Sequence, residues 1–198
     1  MRRSLLRVAI VVGLVSLVGI AGAQTSRDGY GVGQPVAPAP KDPPLPPGTR
    51  DLKWKDLVPA DWNPRRLFNE LGLGRMRDGD PRADELLARI RAEWDRAPVV
   101  KELDGVRVRL AGFVVMLEGT PKGVTEFLLV PYFGACIHVP PPPSNQIVHV
   151  FPKAPVPEDL AMNAVWVTGA MKAVQATTKM GSAGYKINGA QVEKYERR

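Results

Sequence analysis

The chain is poor in the side chains that most often build redox and metal sites. Its 198 residues include one cysteine and two histidines. A single cysteine excludes an intramolecular disulfide and a Cys-x-x-Cys pair, and it leaves thiol exchange without a resolving cysteine. In an oxidising compartment, an unpaired cysteine is buried, metal-bound, joined to another chain or kept reactive.

The chain also lacks an apolar run long enough for a transmembrane helix. Residues 8–22 are uncharged and mostly apolar, about 15 residues where a span needs roughly 20. Arginines precede this run and Ala21-Gly22-Ala23 ends it, which is typical of a secretory signal peptide over residues 1–23. No cysteine follows, so a lipoprotein anchor is excluded. We expect a periplasmic or exported protein, with membrane contact only through an uncleaved signal segment.

A large excess of charge of either sign is absent as well. The formal net charge of +7 includes Arg2, Arg3 and Arg7 of the predicted signal, so the mature chain would carry +4. A charge this small needs no nucleic-acid partner to explain it, and export removes the access to nucleic acid. We therefore predict no nucleic-acid binding.

Composition divides the mature chain into a linker and one domain. Residues 24–50 contain seven prolines, all between Pro35 and Pro47, and few bulky apolar residues, which predicts a Pro-rich disordered linker. Residues 51–198 have a globular composition, and about 150 residues are enough for one core and too few for two.

Within this domain the sequence predicts a helix followed by strands. Asp80-Pro81 is a good helix start and Pro98 a good end, with a stripe of apolar residues expected to pack on the core: Leu86, Leu87, Ile90 and Trp94. Short alternating or apolar runs then predict strands, with a bend or bulge at Gly112. These runs are residues 106–117, 124–130, 135–139, 146–151, 164–171 and 185–192.

This pattern favours a mainly β (α+β) fold. Many short strands separated by Gly- and Pro-rich turns predict a small OB-like, partly open β-barrel of five or six strands, beginning at about residue 99, with one packed N-terminal helix.

The cysteine and both histidines lie in one short stretch, at Cys136, His138 and His149. Thiolate and imidazole are ligands that zinc and copper prefer. The three residues therefore form a candidate zinc or copper site, with a fourth ligand from water or from a side chain. The candidates for that ligand are Glu118, Glu126, Met116, Met171 and Met180.

A hairpin would bring the three ligands together. If residues 135–139 and 146–150 pair as antiparallel strands, with Val139 opposite Gln146, Cys136 lies opposite His149. Cys136, His138 and His149 then share one face of the sheet. A slip of one residue in this register would separate them.

Two other interpretations of the same residues stay open. His149 lies between Ile147 and Phe151 on one strand face, so it is also a candidate for a neutral core histidine. Cys136 opposite His149 could form a nucleophile pair. Because the chain offers no third orienting residue and no oxyanion motif, an enzyme is the weaker interpretation.

The loop of this hairpin is rich in proline. Four consecutive prolines cannot donate backbone hydrogen bonds, so the loop is stiff. It is either a rigid surface loop or an apolar lip that covers the site or binds a partner. The candidate partner-binding residues are Pro140, Pro141, Pro142, Pro143, Asn145 and Gln146.

Residues 127–146, Phe-Leu-Leu-Val-Pro-Tyr-Phe-Gly-Ala-Cys-Ile-His-Val-Pro-Pro-Pro-Pro-Ser-Asn-Gln, closely resemble the signature of an exported bacterial family defined only as a domain of unknown function, number 3299. The resemblance extends from about Trp54 to Tyr195. It implies an envelope protein associated with transport-type gene neighbourhoods. Cys136 and His138 match the motif, whereas His149 lies just past it.

Taken together, the sequence predicts an exported envelope protein that binds zinc or copper, or that serves as an accessory to an envelope transport complex. The alternative is a protein-binding OB-like adaptor without metal, in which Cys136 and His138 are packed core residues.

Overall fold

The structure is a computed structural model that describes residues 26, 28–37, 44–63, 66, 69–70, 81–135 and 141–196. The predicted signal segment lies outside this range. The helices are α1 (Ala83–Trp94) and the short α2 (Glu158–Ala161). The strands are β1 (Arg50–Asp51), β2 (Arg107–Thr120), β3 (Gly123–Val130), β4 (Val148–Pro152), β5 (Ala164–Lys172), β6 (Ala176–Thr178), β7 (Gly181–Ala183) and β8 (Tyr185–Lys194). No helix in the described part of the chain is long and apolar enough to cross a membrane.

Five strands close into a barrel in the order β2-β3-β4-β8-β5, and β5 pairs back to β2. The β4–β8 pair is parallel and the other four pairs of the ring are antiparallel. A sixth strand, β1, pairs in parallel with β2 outside the ring. The predicted small β-barrel of OB type is confirmed, except that the ring is closed rather than partly open.

The long strand β2 makes closure possible because it belongs to two pairings. Its first half pairs with β5 and its second half with β3, and Phe113 has a partner in both strands. The register shifts of β2 lie around Leu117, not at the predicted Gly112. Gly112 is instead a point of close approach, where an added Cβ would lie 2.6 Å from Leu129 Cγ.

The wall of the barrel buries apolar side chains on both faces. In β3, Phe127 and Leu129 point into the barrel and belong to an inner cluster with Val150. Leu128 and Val130 point outward and belong to a second, outer cluster. Because successive strand residues face opposite sides, a continuous apolar run requires cover on both.

An N-terminal strap, residues 28–37, provides part of the outer cover. Tyr30 is fully buried and packs edge-to-face on Phe113, with ring centroids 4.9 Å apart. The Gly33 N–H donates to Phe133 O at 2.7 Å, and the Phe133 N–H donates to Gln34 O at 3.0 Å. Composition predicted a disordered linker here. The strap is packed because one buried aromatic ring and these backbone hydrogen bonds hold it to the barrel.

Helix α1 confirms the predicted helix but not its whole apolar stripe. Ile90 is buried, whereas Leu87 is 41% exposed and Leu86 and Trp94 are half-buried. Ile90 belongs to neither the inner nor the outer cluster. The helix therefore lies beside the barrel rather than contributing to its core, and Asp80, the predicted cap, lies outside the described residues.

Tyr185 joins the barrel to the segments that precede it. Its phenol is buried, donates to Leu57 O at 2.6 Å and accepts from the Val100 N–H at 2.7 Å. Burial raises the pKa of this phenol, and the hydrogen bond from Val100 offsets the rise only in part.

Replacement of Tyr30 by alanine tests the strap. Because the change removes a buried ring, we expect Tyr30→Ala to lower the free energy of unfolding by about 3 kcal/mol in urea denaturation. Val32→Ala, at a 38% exposed position of the same strap, should cost less than about 0.5 kcal/mol. Equal stability of Tyr30→Ala and the wild type would mean that the strap does not contribute to the fold.

The raised pKa of Tyr185 predicts a loss of stability in alkali. Above pH 10 the unfolded chain loses the phenol proton before the folded chain does, so the wild-type free energy of unfolding falls as pH rises. Tyr185→Phe should be less stable by about 2 kcal/mol at neutral pH, because Val100 and Leu57 lose their partner. Paired urea titrations from pH 8 to 11 should show this difference shrinking. A difference that stays constant would contradict the prediction.

Candidate functional site

The structure describes one of the three predicted metal ligands. His149 lies in the middle of β4 and is buried. Cys136 and His138 lie outside the described residues, so their part in a metal site stays a prediction. Pro140, predicted for the partner-binding loop, also lies outside them.

The predicted hairpin around His149 is wrong. Leu128 of β3 is the antiparallel partner of His149, and Lys186 of β8 is its parallel partner. Both hydrogen-bonding edges of β4 are occupied at this position, by β3 and β8, which leaves no edge of β4 for the predicted pairing. The predicted partner was the segment nearest in sequence. In the structure β4 pairs instead with β3, the longer apolar strand that precedes the proline loop.

His149 faces the outside of the barrel and pairs there with a carboxylate. Its Nε2 lies 2.7 Å from Glu126 Oε1. Glu126 precedes Leu128 by two residues in β3 and therefore shares its outer face. The Glu126 side chain is 27% exposed and the His149 side chain 9%, so the pair spans the boundary between the outer cluster and solvent.

The second ring nitrogen of His149, Nδ1, differs from the first in its surroundings. Nδ1 is buried, and no group among the described residues makes a hydrogen bond with it. The Phe151 ring packs against the imidazole, with centroids 4.5 Å apart. A buried polar atom without a hydrogen-bond partner is uncommon in proteins, and a bound ion is one of the groups that can satisfy it.

A second carboxylate lies directly across from Glu126. Glu118 of β2 is the cross-strand partner of Glu126, and like charges at such positions repel each other. Each carboxylate has its own partner, because Lys179 binds Glu118 whereas His149 binds Glu126. The hydrogen bond to Glu118, together with its charge, raises the pKa of Lys179.

Among the candidates for a fourth ligand, Glu126 is brought to His149 and Met171 is not. Within the described ranges, no group of three or more His, Cys, Asp or Glu residues is placed to hold a metal ion. Met171 is fully buried in the inner cluster, on the opposite side of the barrel wall. Glu126 thus contacts His149 through a hydrogen bond. The signal that could have identified it is a carboxylate within an otherwise apolar strand.

The end of the proline loop is packed against the protein itself. Pro142, Pro143 and Asn145 are buried. Asn145 donates from Nδ2 to Pro98 O at 2.9 Å, and Gln146 donates from Nε2 to Trp54 O at 3.2 Å.

Gly184 accommodates the same loop end. Its N–H donates to Ser144 O at 2.7 Å. A Cβ at this position would lie 2.8 Å from Val99 Cγ1 and 3.0 Å from Ser144 O, so only glycine fits without a shift. The contacts of this part of the loop are intramolecular, and partner binding by the loop stays a prediction.

Asn145 should be important for stability. In Asn145→Ala the Pro98 carbonyl loses its donor and a fully buried side chain is removed, so we expect the free energy of unfolding to fall by about 2 kcal/mol. The matched control is Asn163→Ala, which removes a bond to Asp159 O of the same length, 2.9 Å, at the surface. It should cost at most about 1 kcal/mol. Equal losses in calorimetry would contradict the structural role of Asn145.

Comparisons with known proteins agree with the resemblance seen in the sequence. No curated protein matches the chain. The crystal structure of a DUF3299 family protein from Pseudomonas aeruginosa PAO1 is similar, with 40% sequence identity and a TM-score of 0.60, over 76% of this chain and 98% of that chain. Residues 54–194 match the family described as "Protein of unknown function (DUF3299)". The chain therefore belongs to the DUF3299 family.

Proposed function

We propose that the protein binds a soft transition metal ion, zinc or copper, at a site built on His149, with Cys136 and His138 as further ligands. The observation that carries the proposal is the buried Nδ1 of His149, which has no partner among the described residues. A neutral imidazole nitrogen is a common ligand of both metals, and a buried one is protected from competing water.

Cys136 enters the proposal through its place in the sequence. Ala135, the residue before it, is fully buried and belongs to the outer cluster together with Leu128 and Ile147. Leu128 is the cross-strand partner of His149, and Ile147 precedes His149 by two residues. Cys136 itself lies outside the described residues, so its participation is part of the proposal.

The local charge also suits a cation. A Cys136 thiolate would contribute one negative charge, and Glu126 contributes another close to the imidazole. Two negative charges would balance a divalent ion, which reduces the cost of holding it in a partly buried site.

The cellular setting is part of the proposal. Residues 1–23 have the pattern of a signal peptide, which supports a periplasmic or exported location. A metal-binding barrel in the envelope would serve as a metal carrier or as an accessory to an envelope transport complex.

Metal content tests the proposal directly. We expect the mature chain, from residue 24, to bind zinc or reduced copper at close to one ion per chain, measured by elemental mass spectrometry after dialysis. Cys136→Ser and His149→Gln should each reduce this occupancy strongly. Glutamine can keep a hydrogen bond with Glu126, so His149→Gln is the gentler change to the fold.

The control is thermal unfolding of each variant, which separates a lost ligand from a lost fold. Failure of the folded wild-type chain to bind either ion would reject the proposal. That outcome would favour the alternative, a protein-binding adaptor in which Cys136 and His138 are packed core residues.

A further inference from the structure

We infer that Glu126 is a positioning residue, which holds His149 in the tautomer that carries its proton on Nε2 and leaves the Nδ1 lone pair available to the ion. Its functional meaning rests on the proposed metal binding. The tautomer itself is a property of the metal-free protein and can be measured without any ion.

The argument begins with the contact between the two side chains. Nε2 lies 2.7 Å from a carboxylate oxygen, which is a hydrogen-bonding distance. An ionised carboxylate only accepts hydrogen bonds, so Nε2 must donate. The opposite tautomer would bring the Nε2 lone pair against a carboxylate oxygen, which is repulsive. In a neutral ring, a proton on Nε2 leaves Nδ1 unprotonated.

The surroundings of the ring restrict it to this arrangement. The imidazole packs against Phe151, with centroids 4.5 Å apart, and its side chain is only 9% exposed. Both edges of β4 are paired at His149, which fixes the backbone. A ring held on one side by a carboxylate presents its other nitrogen in one direction. Metal-binding histidines commonly have such a carboxylate at their second nitrogen.

The fold supplies a matched control for Glu126. Glu118 is the same residue type, lies directly opposite Glu126 on β2 and binds Lys179 rather than His149. Glu118→Gln and Glu126→Gln therefore remove the same charge from neighbouring positions. Only Glu126→Gln changes the group that accepts from Nε2.

The first measurement is the tautomer of His149 in the metal-free chain, by long-range ¹H–¹⁵N correlation NMR. The chain has only two histidines, so His149→Gln assigns the signals. We expect a proton on Nε2 in the wild type and in Glu118→Gln, and a mixture of tautomers in Glu126→Gln, because an amide can donate as well as accept. A proton on Nδ1 in the wild type would overturn the inference.

The second measurement is zinc affinity, by competition with a chelator of known affinity. Glu126→Gln should weaken binding by about 10- to 100-fold, and Glu118→Gln by about twofold or less. Equal weakening in the two variants would mean that only charge matters, and it would overturn the positioning role while metal binding stands. An Nε2–H tautomer in a chain that binds neither zinc nor copper would reject the proposed function and leave the orientation of the ring standing.

Discussion

Strands β2 and β3 bury apolar side chains on both faces, so the barrel cannot expose its wall to water. The inner cluster fills the barrel, and the outer cluster requires cover from segments outside the ring. The strap, the segment around Phe133 and Ala135 provide that cover. Burial of apolar area is the dominant favourable term in folding. Here it stabilises the packed strap, a segment whose composition predicts disorder. The strap, residues 28–37, is packed because the outer face of the barrel wall needs apolar cover.

The same two-sided wall explains the environment of His149. On a barrel with a solvated outer face, an outward histidine would be hydrated and its two nitrogens would bind water. The outer cluster instead buries the ring, and Glu126 at the margin of the cluster is the polar group within reach. Nε2 is thus hydrogen-bonded to Glu126, and Nδ1 is buried away from water. A histidine on a solvated surface would have both nitrogens hydrated, and the residues next to His149 in the sequence do not reveal this difference.

The sequence was sufficient for the class of fold because alternation and apolar runs are local signals. The run from Phe127 to Val130 predicted a strand, and it is one. The strand that pairs with His149 could not be predicted from the sequence. The choice between β3 and residues 135–139 depends on closure of the whole ring. The sequence predicts a bend or bulge at Gly112, but a glycine within a strand also permits a close approach by another side chain. Only the position of Leu129 distinguishes the two. In the sequence Glu126 is one of two nearby acids, with Glu118, and only the strand register places it beside the imidazole.

The strap also limits how far the chain can be shortened. Ser26 is buried and accepts a hydrogen bond from the Tyr30 N–H. The match to the family begins at residue 54, after the strap. A chain cut back to the matched range would lose the Tyr30 ring, and part of the Phe113 side chain that this ring covers would then face water.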